Sequence, residues 1–376
     1  MTKRFVPLAA LLLCTAASTA PDPEPHWTAE QISRLRDWLR IAPQEGLVLP
    51  VIPGVANAVE TGDAAQIDRA MTALALTLAR AYLLGSSGPS ARAGWRIAGN
   101  DEAIDLSAQL SAALARNDVD GFYAGLRPRN TDYEALRLAL LGETDAVKRA
   151  TLIRNLERWR WMPLDMGHRY LLVNVPGFEV GLWESGRKLE HWRVIVGKPR
   201  TPTPVFSAIV TGIIVNPWWD VPPSIVAESV GRLTRTSPAE ARRRGYVWGG
   251  GSWRQRPGPG NALGQMKLVM PNPYKVYLHD TPGKALFEQP VRAFSHGCIR
   301  VGKALDLAAR LLGRPIDAEV ARGRTVTLPI GDPLPVYVTY FTADVSDTGS
   351  VEYHRDIYGR DARMGMSRNP APRSPT

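Results

Sequence analysis

The chain has 376 residues, 44% of them hydrophobic, and its 46 Lys and Arg against 36 Asp and Glu leave it at +10 near neutral pH. That length permits two domains, and the basic balance favours an anionic partner such as cell-wall polymer or lipid headgroups, although a merely basic surface explains it equally well. Beyond the first residues no apolar run is long enough to span a bilayer and no motif of a nucleic-acid reader is present, so neither a transmembrane anchor nor a nucleic-acid partner is expected.

Lys3 and Arg4, the apolar run Phe5 to Cys14 and the small residues Thr15 to Ala20 have the three regions of a secretory signal, so residues 1–20 are expected to be a cleaved export peptide. Leu13 before Cys14 departs from the small residue that lipoprotein signals place there. Loss of Lys3 and Arg4 takes the charge from +10 to +8. It also leaves Cys298 as the single cysteine, and an unpaired thiol kept in an oxidising compartment points to reactivity.

From Thr28 to Trp161 apolar residues recur at helical spacing. Thr28 and Gln31 form a capping-box pattern ahead of Ile32, Leu35 and Leu39; Ile67 to Tyr82 continue the spacing up to Gly85; further stripes run through Leu106, Leu110 and Leu114, Leu136 and Leu140, and Leu152, Leu156 and Trp159. Residues 24–150 are therefore expected to be a helical scaffold domain. Short β-rich runs follow, at 170–175, 178–183, 192–196 and 209–215, separated by Pro and Gly clusters. One helix returns at Ala304 to Leu312, stopped by Gly313 and Pro315. The fold class is α+β, with a β-rich second domain over 165–345 and an extension over 346–376 whose end, from Ala362, has the composition of a disordered tail.

The chemistry gathers late in the β-rich region. Tyr274 to Asp280 alternate as a strand does, with Tyr274, Val276 and Leu278 on one face and Lys275, Tyr277 and His279 on the other. A turn at Thr281-Pro282-Gly283 could bring His279 to face Cys298, which lies in Ser295-His296-Gly297-Cys298-Ile299-Arg300. A thiol is mostly protonated at neutral pH, and an adjacent imidazole can take its proton and leave a thiolate nucleophile. A lone Cys and a lone His are also common as inert core or surface residues. His26, His168, His191 and His354 show no paired spacing, so no metal is expected.

The residues from His279 to Arg300 resemble the signature of the L,D-transpeptidase (YkuD) family, a His followed some fifteen residues later by Ser or Thr-His-Gly-Cys-x-Arg or Asn. Asn216-Pro217-Trp218-Trp219-Asp220-Val221-Pro222, Arg256 to Gly264 and Tyr277 to Pro282 are similar to its large YcbB-type periplasmic branch, and the resemblance extends over about 150–361. It implies a catalytic domain in which Cys298 is the nucleophile, His279 the general base, the backbone carbonyl of Asp280 its orienter, and the loop at Gly297 the source of oxyanion donors, with His296 in support. Arg300, Ser295, Tyr277, Trp218 and Asn261 are the residues expected to meet substrate; structural roles compete, Ser295 reading mainly as a loop hydrogen-bonder and Trp218, Trp219, Asn216 and Asn261 as packing. Residues 227–252, with Arg242-Arg243-Arg244 and Gly249-Gly250-Gly251, sit where the branch places a substrate-capping insertion; a lid and an ordinary surface loop are both open. The implied function is a periplasmic enzyme, without cofactor, that joins peptidoglycan stem peptides by 3→3 cross-links from a tetrapeptide donor, alone or beside cell-wall synthesis proteins. Water, a D-amino acid or a lipoprotein amine as acceptor, and a non-catalytic wall-binding scaffold, are the alternatives.

Overall fold

The computed structural model of the protein describes residues 26–52, 62–97, 99 and 101–364. The expected export peptide at 1–20 and the tail from 365 lie outside the described residues. Helix α1 (Ala29–Ile41) starts at the capping box: the Gln31 N–H donates to Thr28 Oγ1 at 3.2 Å and the Thr28 N–H to Gln31 Oε1 at 3.0 Å. Helices α2 (Ala64–Leu84), α3 (Leu106–Ala115) and α4 (Val119–Gly125) complete a first core around Leu35, Leu78, Tyr82, Leu110 and Tyr123. Helix α2 ends at Gly85, whose φ of 83° suits a residue without Cβ.

Helices α5 (Thr131–Gly142) and α6 (Ala146–Arg160) pack elsewhere. Leu136, Leu140, Leu152, Leu156 and Trp159 lie against Tyr170, Leu172, Trp183, Tyr337 and Phe341 of the sheet-rich region. The domain boundary expected at 150 falls inside α6, because helical spacing shows that a stripe will be buried but not which surface buries it.

The strands follow in chain order: β1 (Trp95–Arg96), β2 (Arg169–Asn174), β3 (Glu179–Glu184), β4 (Arg187–Gly197), β5 (Val205–Val215), then β6 (Trp219–Asp220), β7 (Tyr246–Gly249) and β8 (Ser252–Gln255), which make a small sheet of their own, and β9 (Met266–Val269). They are followed by β10 (Leu278–His279), β11 (Ala293–Ser295), β12 (Ile299–Val301), helix α7 (Ala304–Leu312) and β13 (Val326–Thr339). The main sheet runs β5-β13-β2-β3-β4-β12-β10-β9 and closes on itself through β5 and β9, with Ile214 opposite Lys267. Closure leaves an inside, filled by Val173, Val194, Leu268, Leu278, Ile299 and Val338, and an outside. Helix α7 adds Leu307 and Leu311 to that interior, where each fully buried aliphatic side chain contributes about 1.5–3 kcal/mol.

The segment expected as a lid or loop is ordered. Helical turns from Pro223 to Arg243 lead into the hairpin β7–β8, closed by Gly250 and Gly251 with φ of 60° and 78°, and β8 also pairs with β6. After β13 the hairpin β14 (Ala343–Val345) and β15 (Val351–Tyr353) crosses the boundary expected at 345, and the chain then returns onto the domain. The Asp361 carboxylate accepts from Arg158 Nη2 at 2.6 Å and from Thr342 Oγ1 at 2.9 Å, and residues 362–364 close a helical turn instead of starting the tail. No helix among the described residues is long and apolar enough to cross a membrane.

Candidate active site

The strand expected over Tyr274 to Asp280 is reduced to Leu278 and His279. Asn272 breaks it: its Oδ1 accepts from the N–H groups of Tyr274 (3.2 Å) and Val276 (3.3 Å), and Lys275 adopts φ 55°. Tyr274 is exposed as a result. From Val276 onward the alternation holds, with Val276 and Leu278 in the interior and Tyr277 and His279 outside.

Strands β10 and β12 run parallel, Leu278 opposite Ile299 and His279 opposite Arg300, and the Ile299 N–H donates to the Tyr277 carbonyl at 3.0 Å. Side chains two apart share a face, so Tyr277, His279, Cys298 and Arg300 all stand on the outer side. A strand spacing of about 4.8 Å and a two-residue rise of about 6.6 Å make Cys298 and His279 diagonal neighbours. Strand β9 adds Lys267 directly opposite His279, with its ammonium 4.4 Å from the centre of the Tyr277 ring. Across the sheet the row reads Lys267, His279, Arg300.

His279 is 5% exposed, and its Nδ1 lies 2.5 Å from the Asp280 carbonyl oxygen. A carbonyl only accepts, so Nδ1 carries the proton and Nε2 keeps its lone pair. Burial pulls the imidazole pKa down to about 4; the Asp280 carbonyl opposes this, and the Arg300 and Lys267 charges add to it. Burial pushes the Cys298 thiol up, against the Tyr277 N–H at the sulfur and the charges of Lys267 and Arg300. The two directions agree on a neutral thiol, which donates to the Lys275 carbonyl at 3.8 Å, and a neutral imidazole.

Ser295 organises the loop. It is 2% exposed, its hydroxyl donates to the Cys298 carbonyl at 2.5 Å, and it accepts from the Gly297 N–H at 3.0 Å. Its proton is thus spent inside the loop, and the Gly297 amide is engaged with it. The Cys298 N–H has no acceptor among the described residues and is the donor that remains. Gly297 has φ 114°, a conformation side chains rarely adopt. Thr203 Oγ1 donates to the Gly297 carbonyl at 2.9 Å and accepts from the Gly197 N–H at 2.9 Å. Tyr358, from the returning C-terminal segment, donates its hydroxyl to the Gly197 carbonyl at 2.5 Å and accepts from the Thr203 N–H at 3.3 Å.

His296 is exposed, with Nε2 2.6 Å from a Glu228 oxygen and 3.3 Å from Lys198 Nζ; Glu228 belongs to the insertion, so His296 ties the Cys298 loop to it. Asn261, expected at the substrate, is 1% exposed and spends its amide on the carbonyls of Pro217, Gln255 and Arg256, a knot at the root of the insertion. Asn216 likewise holds the carbonyls of Glu319 and Val320. Trp218 is half-buried beneath the Arg254 guanidinium, 4.8 Å from the ring centre. The Asp280 carboxylate accepts from the Gln265 N–H at 2.9 Å and pairs with Lys284, which sequence reasoning did not foresee. Lys267 was also missed; a lone charge between Met266 and Leu268 was its only signal. On the β14–β15 hairpin, away from Cys298, Asp344, Glu352 and His354 bring potential metal-ligand atoms within 4.8 Å of one another, a proximity their spacing did not suggest. His354 Nε2 there is 2.7 Å from Asp344, whose other oxygen accepts from Asn174 at 2.7 Å.

Residues 168–338 match a family model described as YkuD, the L,D-transpeptidase catalytic domain, and residues 19–140 one described as a Scaffold domain. A curated protein of Haemophilus influenzae named "Putative L,D-transpeptidase" is 30% identical over 242 residues, 57% of this chain and 49% of its own. This chain thus spans about half the length of that relative. Among solved structures, an L,D-transpeptidase from Mycobacterium smegmatis is 16% identical over 46% of this chain and 58% of its own, at a TM-score of 0.27. L,D-transpeptidase 3 from Mycobacterium tuberculosis is 18% identical over 46% of this chain and 61% of its own, at 0.26.

Proposed function

We propose that the protein, whose residues 168–338 match the YkuD model of L,D-transpeptidase catalytic domains, is an exported, periplasmic peptidoglycan L,D-transpeptidase that forms 3→3 cross-links through an acyl-enzyme on Cys298. The observation that carries this reading is the β10–β12 register, with His279 and Cys298 diagonal on one outer face and His279 Nδ1 committed to the Asp280 carbonyl. In the first half-reaction the Cys298 sulfur attacks the carbonyl carbon of the third residue of a tetrapeptide stem while His279 Nε2 takes the thiol proton. The oxyanion accepts from the Cys298 N–H. The tetrahedral intermediate expels D-Ala, whose amine receives the proton from the imidazolium, and a thioester remains. An amine of a second stem then attacks that thioester, His279 Nε2 takes the proton it sheds, and the thiol leaves reprotonated. Water in place of the amine gives L,D-carboxypeptidase action at the same site.

Purified protein incubated with disaccharide-tetrapeptide should give a product of two stems less one D-Ala by mass spectrometry, and none after Cys298→Ala, which removes only the covalent step. Consumption of pentapeptide with tetrapeptide untouched, or turnover by the Ala variant, would remove the assignment.

A further inference from the structure

We propose that Lys267 and Arg300 form an anion subsite beside Cys298, which holds the free carboxylate of the residue that leaves the donor stem. The proposal rests on the reading of Cys298 as the nucleophile and adds what the site selects.

Both cations are half-buried on the outer face that carries Cys298, one on each side of His279 in the cross-strand row. Among the described residues neither takes part in a hydrogen bond or a salt bridge; the Lys267 ammonium has only the face of the Tyr277 ring, at 4.4 Å. The carboxylates that could neutralise them are occupied. Asp220, the acid that attracts Lys267, is held 2.6 Å from Arg254 Nε. Asp280 is bound to Gln265 and Lys284, and Glu228 to His296 and Lys198. The imidazole between the two cations is neutral and offers no compensation.

Two unpaired charges partly withdrawn from water cost stability unless something anionic meets them. The thiol is protonated at rest, so it is not that anion. A stem peptide brings one to the right place. The carboxylate of the departing residue is separated from the attacked carbonyl carbon by one N and one Cα, within a residue's length of about 3.8 Å. Cations on the same face as Cys298 favour a donor whose next residue is its last, and they reject a stem in which that carboxylate is tied up in a further peptide bond. Selection of the terminal residue then lies in charge recognition by Lys267 and Arg300.

Iodoacetate and iodoacetamide test this on the intact protein without any turnover, because both alkylate a thiol with the same leaving group and differ by one negative charge. The ratio of their rates at Cys298 should be about tenfold higher in the wild type than in Lys267→Met, fall likewise in Arg300→Gln, stay high in Lys267→Arg, and shrink with added salt. Unchanged near- and far-ultraviolet circular dichroism certifies the fold of each variant, and the charge-keeping Lys267→Arg protein carries the test if Lys267→Met fails to fold. Equal slowing of both reagents in Lys267→Met would assign the lysine to the thiolate and overturn the subsite, as would a ratio that no substitution moves. A second arm uses a tetrapeptide donor with its terminal carboxylate amidated: the wild type should lose about tenfold in kcat/KM and Lys267→Met should lose nothing further. Absence of turnover with every stem would defeat the transpeptidase reading and leave the alkylation ratio standing.

Discussion

Acidification should weaken the fold through His279 by an amount its environment sets. The folded pKa is about 4 against an ordinary 6.5, so between those values the unfolded chain binds a proton that the native protein refuses. Stability from this residue is therefore full above 6.5, falls as the pH drops, and stops falling below about 4. The whole gap corresponds to about 3.4 kcal/mol, of which about 2 kcal/mol is lost on going from pH 7.5 to pH 5. Urea unfolding followed by Trp fluorescence at pH 7.5, 6 and 5 measures it, for the wild type and for His279→Gln, whose amide N–H can still reach the Asp280 carbonyl. Carboxylates titrate alike in both proteins and cancel in the difference. The stability gap between the two should narrow by about 2 kcal/mol over that range. Parallel curves would mean that His279 titrates alike in the native and unfolded chains, and its depressed pKa would have to be given up.

In His279→Ala, alkylation of Cys298 by iodoacetamide should slow by about tenfold or more near neutral pH and little at high pH, where hydroxide removes the thiol proton unaided; equal slowing at both would make His279 purely structural. Gly197→Ala would set a Cβ 2.2 Å from the Thr201 carbonyl oxygen and 3.1 Å from Gly297 Cα, backbone that cannot swing aside. It should cost about 1–3 kcal/mol in thermal or urea unfolding and suppress acylation, and a variant of wild-type stability would show that the Gly197–Gly297 contact is not tight.

The placement of His279 and Cys298 on neighbouring strands with a turn between them was legible because it depends on residues close in sequence. The capping box at Thr28 and Gln31 and the helix Ala304–Leu312 were readable for the same reason. What escaped depends on registers and surfaces that no local pattern encodes. Lys267 reads as a stray charge until β9 is paired with β10, and the choice between substrate contact and structure at Asn261 and Ser295 stays open until their hydrogen bonds inside the fold are seen. The helices α5 and α6 have the same stripe as α1 to α4, and only tertiary packing assigns them to the sheet. The resting protonation of the pair escaped because burial, which sets it, is not a property of the motif.

The returning segment that carries Tyr358 gives the protein an order of assembly. The hydroxyl of Tyr358 reaches Gly197, and Gly197 and Thr203 back the Gly297–Cys298 turn. A chain that emerges from its N-terminus forms its helices first and its sheet later, and reaches Tyr358 only 60 residues after Cys298 has been made. Until then the turn lacks its rear support. A molecule clipped ahead of Tyr358 would thus retain every motif residue yet lack the brace.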